Sequence, residues 1–138
     1  DDVKRALDEK KRIVIIDDNP TNMKLSSFVL ESADYTVITA VDAEIGLTLA
    51  RERHPDLILM DIQLPGMDGL EATALLKADD ATRRIPVIAL TALAMKGDEE
   101  RIRAAGCDGY IAKPLDYKDL LSVVKASLGK AAVSQGRE

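Results

Sequence analysis

Five short apolar runs punctuate this chain, and the stretches between them carry apolar residues at helical spacing. The runs are Arg12–Ile16, Tyr35–Thr39, Leu57–Met60, Ile85–Leu90 and Cys107–Ala112. Short continuous apolar runs bounded by turn formers read as strands, and where both faces are apolar they read as strands buried on both sides. Strands that alternate with helices predict a parallel sheet with helices on both faces, because parallel neighbours need a crossover connection. Right-handed crossovers then leave few topologies. At 138 residues the chain is one domain, long enough to bury a substantial core.

The intervening stretches read as five helices. Asn19-Pro20 opens the first, with Pro at an early position where its missing N–H costs nothing, and the helix runs to about Ala33 with Leu25, Phe28 and Val29 directed inward. Asp42 to about Arg53 offers Ile45, Leu47, Leu49 and Ala50 for packing, and a helix after Gly69 holds Leu70, Leu75 and Leu76. Beyond a charged loop, Lys77 to Arg84, Asp98 is expected to cap a helix that passes through Ala105 and stops at Gly106. Asp116 to Leu128 closes the domain with Leu120, Leu121, Val124 and Leu128 on its apolar side. Residues 1–11 form a charged leader or linker with a sparse stripe of Val3, Ala6 and Leu7; residues 12–128 form the domain. Residues 129–138 are small and polar and are expected to form a disordered tail. The chain opens on Asp1 and not on Met, which reads as a piece trimmed from something longer.

The net charge of −5 speaks against direct nucleic-acid binding, which needs a basic face. The apolar runs are of strand length, so no membrane insertion is expected. A single cysteine, Cys107, permits no internal disulfide and fits a cytoplasmic location; on a strand it reads as a small core residue. His54 ends a helix, where a cation is favourable. Met23, Met60, Met67 and Met95 read as packing.

Chemistry gathers at the strand ends. Four of the five runs finish on reactive side chains: Asp17-Asp18, Asp61, Thr91 and Lys113. In an open parallel sheet those ends share one edge, the edge where ligands bind. Each residue alone has an ordinary explanation: Asp17 or Asp18 as a helix cap, Thr91 as a strand end, Lys113 as a solvated lysine, Tyr110 as packing. Together they mean more. Three converging carboxylates resist ionisation unless a cation sits among them, and an oxygen-rich site with room for water suits Mg²⁺. A carboxylate can attack phosphorus to give an aspartyl phosphate. Asp61 would receive the phosphoryl group, with Mg²⁺, Lys113 and the Thr91 hydroxyl each taking one of its oxygens.

The ordered set Asp17-Asp18, Asp61 with Leu64-Pro65-Gly66-Met67-Asp68-Gly69, Thr91-Ala92 and Lys113-Pro114 resembles the receiver domain of two-component response regulators. The resemblance covers Arg12 to Leu128. Three stretches, Asn19 to Leu25, Leu57 to Leu64 and Ala94 to Ile102, also resemble single-domain cell-division regulators and the receivers of hybrid histidine kinases.

The resemblance implies a flavodoxin-like fold, five parallel strands in the order 2-1-3-4-5. Asp61 would be the phosphoacceptor, fed by the phosphohistidine of a sensor kinase or histidine phosphotransfer domain. Asp18 would hold Mg²⁺ directly, Asp17 largely through water, and Gln63 by its backbone carbonyl. Thr91 and Tyr110 would be the switch pair, Lys113 would pair with phosphoryl oxygens, and Lys113-Pro114 is a candidate cis bond. Gln63 and Leu93 occupy positions that tune the lifetime of the acyl phosphate, here expected to exceed seconds. The first helix near Asn22 to Leu25 would meet the phosphodonor, and residues 95–128 would carry the output face. Such a protein is a switch that promotes its own phosphorylation and slow dephosphorylation, and not an enzyme acting on an external substrate.

Other readings stay open. The chain is equally read as a receiver cut from a hybrid histidine kinase. An aspartyl-phosphate hydrolase of the haloacid dehalogenase kind would place a second Asp two residues beyond the nucleophile, where this chain has Gln63. A flavin binder would need a phosphate-cradling loop where this chain has Asp18-Asn19-Pro20, and the intact acidic set argues against a receiver that signals without phosphate.

Overall fold

The computed structural model describes residues 10–92 and 96–136. Its strands are β1 (Arg12–Ile16), β2 (Thr36–Ala40), β3 (Leu57–Asp61), β4 (Val87–Thr91) and β5 (Gly109–Ala112). They form one sheet in the order β2-β1-β3-β4-β5, and every pairing is parallel. This is the expected 2-1-3-4-5 order. Five helices alternate with the strands: α1 (Pro20–Ser32), α2 (Ala43–Arg53), α3 (Gly69–Ala78), α4 (Lys96–Ala104) and α5 (Tyr117–Gly136).

Strand alternation divides the core into two layers. On one face Ile13, Ile15, Leu57, Leu59, Ile88 and Leu90 pack with Leu30 of α1 and with Leu120 and Val124 of α5. On the other, Val14, Ile16, Ile58, Met60, Val87 and Ala89 meet Leu47, Leu76 and Ile102 of α2, α3 and α4. The central β3 is buried at all five positions because it has a neighbour on each side and helices on both faces. That placement delivers Asp61 to the carboxyl edge of the sheet.

Three of the helices that leave this edge begin on capping side chains. Asn19 accepts the N–H of Asn22 at 3.0 Å, Asp42 that of Ile45 at 2.8 Å, and Asp68 that of Glu71 at 2.8 Å. Each satisfies a backbone donor that the first helical turn leaves without a partner. At the opposite edge His54 ends α2 in the left-handed region, and Gly106 closes α4 at a φ of +107° that favours glycine.

Several expectations shift. Leu25 and Phe28 do not point inward; they are 43% and 70% exposed. The buried side of α1 carries Ser26 and Leu30, with Met23 and Val29 partly buried, and Phe28 stands on the far side of the helix from them. Ile45 and Leu75 are likewise exposed. Asp98 lies inside the first turn of α4 and does not cap it. Cys107 precedes β5, closing the α4 turn through its N–H to Ile102 at 3.2 Å, although it is buried as expected. β2 starts one residue later than read, at Thr36, and β4 starts at Val87 because Ile85 closes a turn on Thr82. The segment expected to be a disordered tail is helical as far as Gly136, in keeping with the helix-forming Lys130-Ala131-Ala132. Val3, Ala6 and Leu7 of the leader, and Leu93 and Met95, lie outside the described residues. No described helix is long and apolar enough to cross a membrane.

Candidate functional site at the carboxyl edge of the sheet

Asp61 is the last residue of β3 and is 2% exposed. Both of its oxygens are engaged. Oδ1 accepts the backbone N–H of Gln63 at 2.9 Å, and Oδ2 accepts from the Lys113 Nζ at 2.8 Å. Lys113 reaches it from the residue after β5, whose backbone N–H is tied to the Thr91 carbonyl at 2.7 Å. The Lys113-Pro114 peptide is cis, as the sequence suggested.

Asp17 follows β1 and is 1% exposed, while Asp18 beside it is exposed. Asn19 caps α1, so neither aspartate is the cap; instead Asp17 Oδ1 accepts the Asn19 N–H at 2.9 Å. Carboxylate oxygens of Asp17, Asp18 and Asp61 lie within 4.8 Å of one another. Burial pushes the Asp17 carboxyl from its ordinary 3.8 up to about 6; the Asn19 N–H opposes this, the Asp61 charge reinforces it, and Lys113 opposes it. Three carboxylates beside one lysine leave surplus negative charge in a poorly solvated place. The donors are all hard oxygens, and one of the carboxylates is open to solvent. That donor set fits a hard divalent cation that keeps some of its water, as Mg²⁺ does.

Thr91, the last residue of β4, is fully buried. The β4–β5 register pairs Ala89 with Tyr110 and Thr91 with Ala112, so Thr91 and Tyr110 project to the same face. Tyr110 is half-buried against the core on that face. The Gln63 backbone N–H holds Asp61, and its side chain is exposed.

The sequence places Gly69 in the turn after Asp61 but gives it no role of its own. A Cβ there would stand 2.4 Å from the carbonyl oxygen of Asp61 and 2.6 Å from the Ile62 Cα, so the start of α3 rests directly on the backbone of the acidic residue. Its place beside the α3 cap Asp68 was the available signal: glycine recurs where backbones must approach closely. The role of Asn19, whose N–H holds Asp17, was hidden because it is a backbone contact.

Comparison with known proteins accords with this geometry. The family model of the response regulator receiver domain matches residues 13–125. The chain belongs to this family and is a phosphorylation-dependent signalling switch. The family binds Mg²⁺ at an acidic site and works with histidine kinases or phosphotransfer proteins. Among individual relatives, the polar-differentiation response regulator DivK of Brucella ovis is 52% identical over 121 residues, covering 88% of this chain and 98% of that protein. The solved receiver domain of a sensor histidine kinase from Pseudomonas aeruginosa PAO1, with a magnesium ion coordinated in its active-site cleft, is 36% identical. It covers 88% of this chain and 99% of that one, with a TM-score of 0.81. A CheY-like receiver domain protein from Methanospirillum hungatei is 32% identical, covers 91% and 99%, and has a TM-score of 0.83.

Proposed function

We propose that Asp61 is the phosphoacceptor. The observation that carries this reading is its double tether, to Gln63 N–H at 2.9 Å and Lys113 Nζ at 2.8 Å, beside two further carboxylates. A carboxylate oxygen of Asp61 attacks the phosphorus of a partner's phosphohistidine, and the P–N bond to the imidazole breaks. Lys113, already on Asp61, follows the negative charge onto the phosphoryl oxygens, and the Thr91 hydroxyl moves to another of them. Asp17, Asp18, Asp61 and the Gln63 carbonyl would hold Mg²⁺, whose charge offsets that of the carboxylates and of the incoming phosphoryl group. The transition state needs placed positive charge more than any covalent assistance.

As Thr91 moves, Tyr110 on the same face turns inward behind it, and the surface of residues 95–128 changes for a downstream protein. The phosphodonor meets α1 near Asn22 to Leu25. Leu93, bulky and apolar at a position that tunes the lifetime of the acyl phosphate, is the residue expected to keep water from the phosphoryl group, so that the phosphorylated state outlasts seconds. The protein promotes its own phosphorylation and acts on no external substrate. It works in the cytoplasm, as a DivK-like regulator or as the receiver of a hybrid kinase, both of which have relatives above.

The test is intact mass after incubation with acetyl phosphate and Mg²⁺. One added phosphoryl group is expected, absent from Asp61→Asn and from the Mg²⁺-free control. An unchanged mass, repeated with a phosphorylated phosphotransfer domain as donor, would overturn the reading.

A further inference from the structure

The outward face of α1 has no role in the fold. Thr21, Lys24, Leu25, Phe28, Glu31 and Ser32 are all exposed, and Phe28 stands at its centre with 70% of its surface in solvent. A shallow groove of about 480 Å³ runs beside it, lined by Lys24, Ser27, Phe28, Glu31 and Ser32. Lys24 and Glu31 bracket Phe28, and neither forms an ion pair among the described residues.

This face is complementary to itself. When two copies of α1 lie antiparallel about a twofold axis passing between Ser27 and Phe28, Lys24 of one copy falls opposite Glu31 of the other, and the reverse pair forms with it. Each Phe28 then falls opposite Ser27 of the other copy, inside the groove. An isologous interface requires this pattern, in which a contact and its mirror form together. We propose that α1 is a self-association surface, and that its occupant is a second copy of this chain in this antiparallel arrangement. Six residues a side bury less than ~1,200 Å², the range of transient contacts, so the dimer forms at high protein concentration and exchanges readily. The proposal stands apart from the phosphodonor reading of α1; where both hold, the dimer withholds the receiver from its donor.

Sedimentation velocity of the unphosphorylated full chain over a concentration series tests this without any donor present. The wild type is expected to show a concentration-dependent dimer. Lys24→Glu or Glu31→Lys alone replaces two attractions by two repulsions and is expected to weaken the dimer at least about tenfold. An equimolar mixture of the two variants is expected to associate again, because one variant then carries a carboxylate at both positions and the other an ammonium at both. Phe28→Ser is expected to abolish association in every combination. The affected side chains are exposed, so the fold is retained. A wild type that stays monomeric throughout, single reversals that associate as well as wild type, or a mixture that fails to associate would each overturn the proposal.

Discussion

The two edges of the sheet handle charge in opposite ways. At the amino edge the carboxylates are matched by donors. Asp108 Oδ2 accepts from Val87 N–H at 2.8 Å and from Lys77 Nζ at 2.9 Å, and that ammonium also reaches the Ile85 carbonyl at 2.9 Å. Asp56 accepts the Arg12 N–H at 2.8 Å. At the carboxyl edge three carboxylates share one lysine, and burial drives Asp17 up to about 6. The amino edge is finished by the chain itself, so its charges serve stability. Among the described residues the carboxyl edge keeps a negative surplus with one lysine against it, which is the state expected of a site built for a cation and a phosphoryl group.

Breaking each edge separately should expose the contrast. The largest effect is expected from Asp61→Asn, which abolishes phosphorylation while the melting temperature stays level or rises, because a like charge beside Asp17 has gone. A marked drop in melting temperature would place Asp61 among the structural carboxylates. Next is Gly69→Ala, whose new methyl meets backbone at 2.4 Å and has no soft neighbour to displace. It is expected to cost about 3 kcal/mol in urea unfolding and to weaken Mg²⁺ binding in the fraction that remains folded.

At the amino edge, Asp108→Ala leaves the Val87 N–H and the Lys77 ammonium without their carboxylate. It is expected to cost about 1–2 kcal/mol and to leave phosphorylation of the folded protein unchanged. Loss of phosphorylation in this variant would erase the division between the edges.

A further effect is on pH dependence. The folded chain holds the Asp17 proton to about 6, whereas the unfolded chain releases it near 3.8. The folded state therefore binds more protons in that window, and metal-free stability contributed by this group falls as pH rises from about 4 through about 6. Asp17→Asn is expected to remove that decline relative to wild type, as read by melting temperature at each pH. Parallel curves for the two proteins would contradict the assignment.

The alternating pattern carried most of this architecture in plain view. β1 and β3 were legible to the residue or nearly so, because continuous β-branched and apolar runs leave little choice of phase. The acidic cluster was legible for a related reason: parallel topology carries residues far apart in sequence to one edge, so Asp17, Asp18, Asp61 and Lys113 could be grouped before their distances were known. In α1 apolar character and burial part company. Its buried stripe runs through Ser26 and Leu30, and a small serine allows close approach to the sheet while Phe28 is left outside. β5 is shorter than its apolar run because Cys107 is apolar yet serves the turn after α4. The Gly69 contact lies between two backbones, and no side-chain pattern records it.

The central claim is that the surplus charge at the carboxyl edge exists to place a phosphoryl group on Asp61. An acyl phosphate is reduced by borohydride to the corresponding alcohol, which turns a phosphorylated aspartate into homoserine. After acetyl phosphate and Mg²⁺ treatment, reduction and peptide mapping should find homoserine at position 61 alone, and none when Mg²⁺ is withheld. Homoserine at position 17 or 18, or at a carboxylate of the amino edge, would contradict the account.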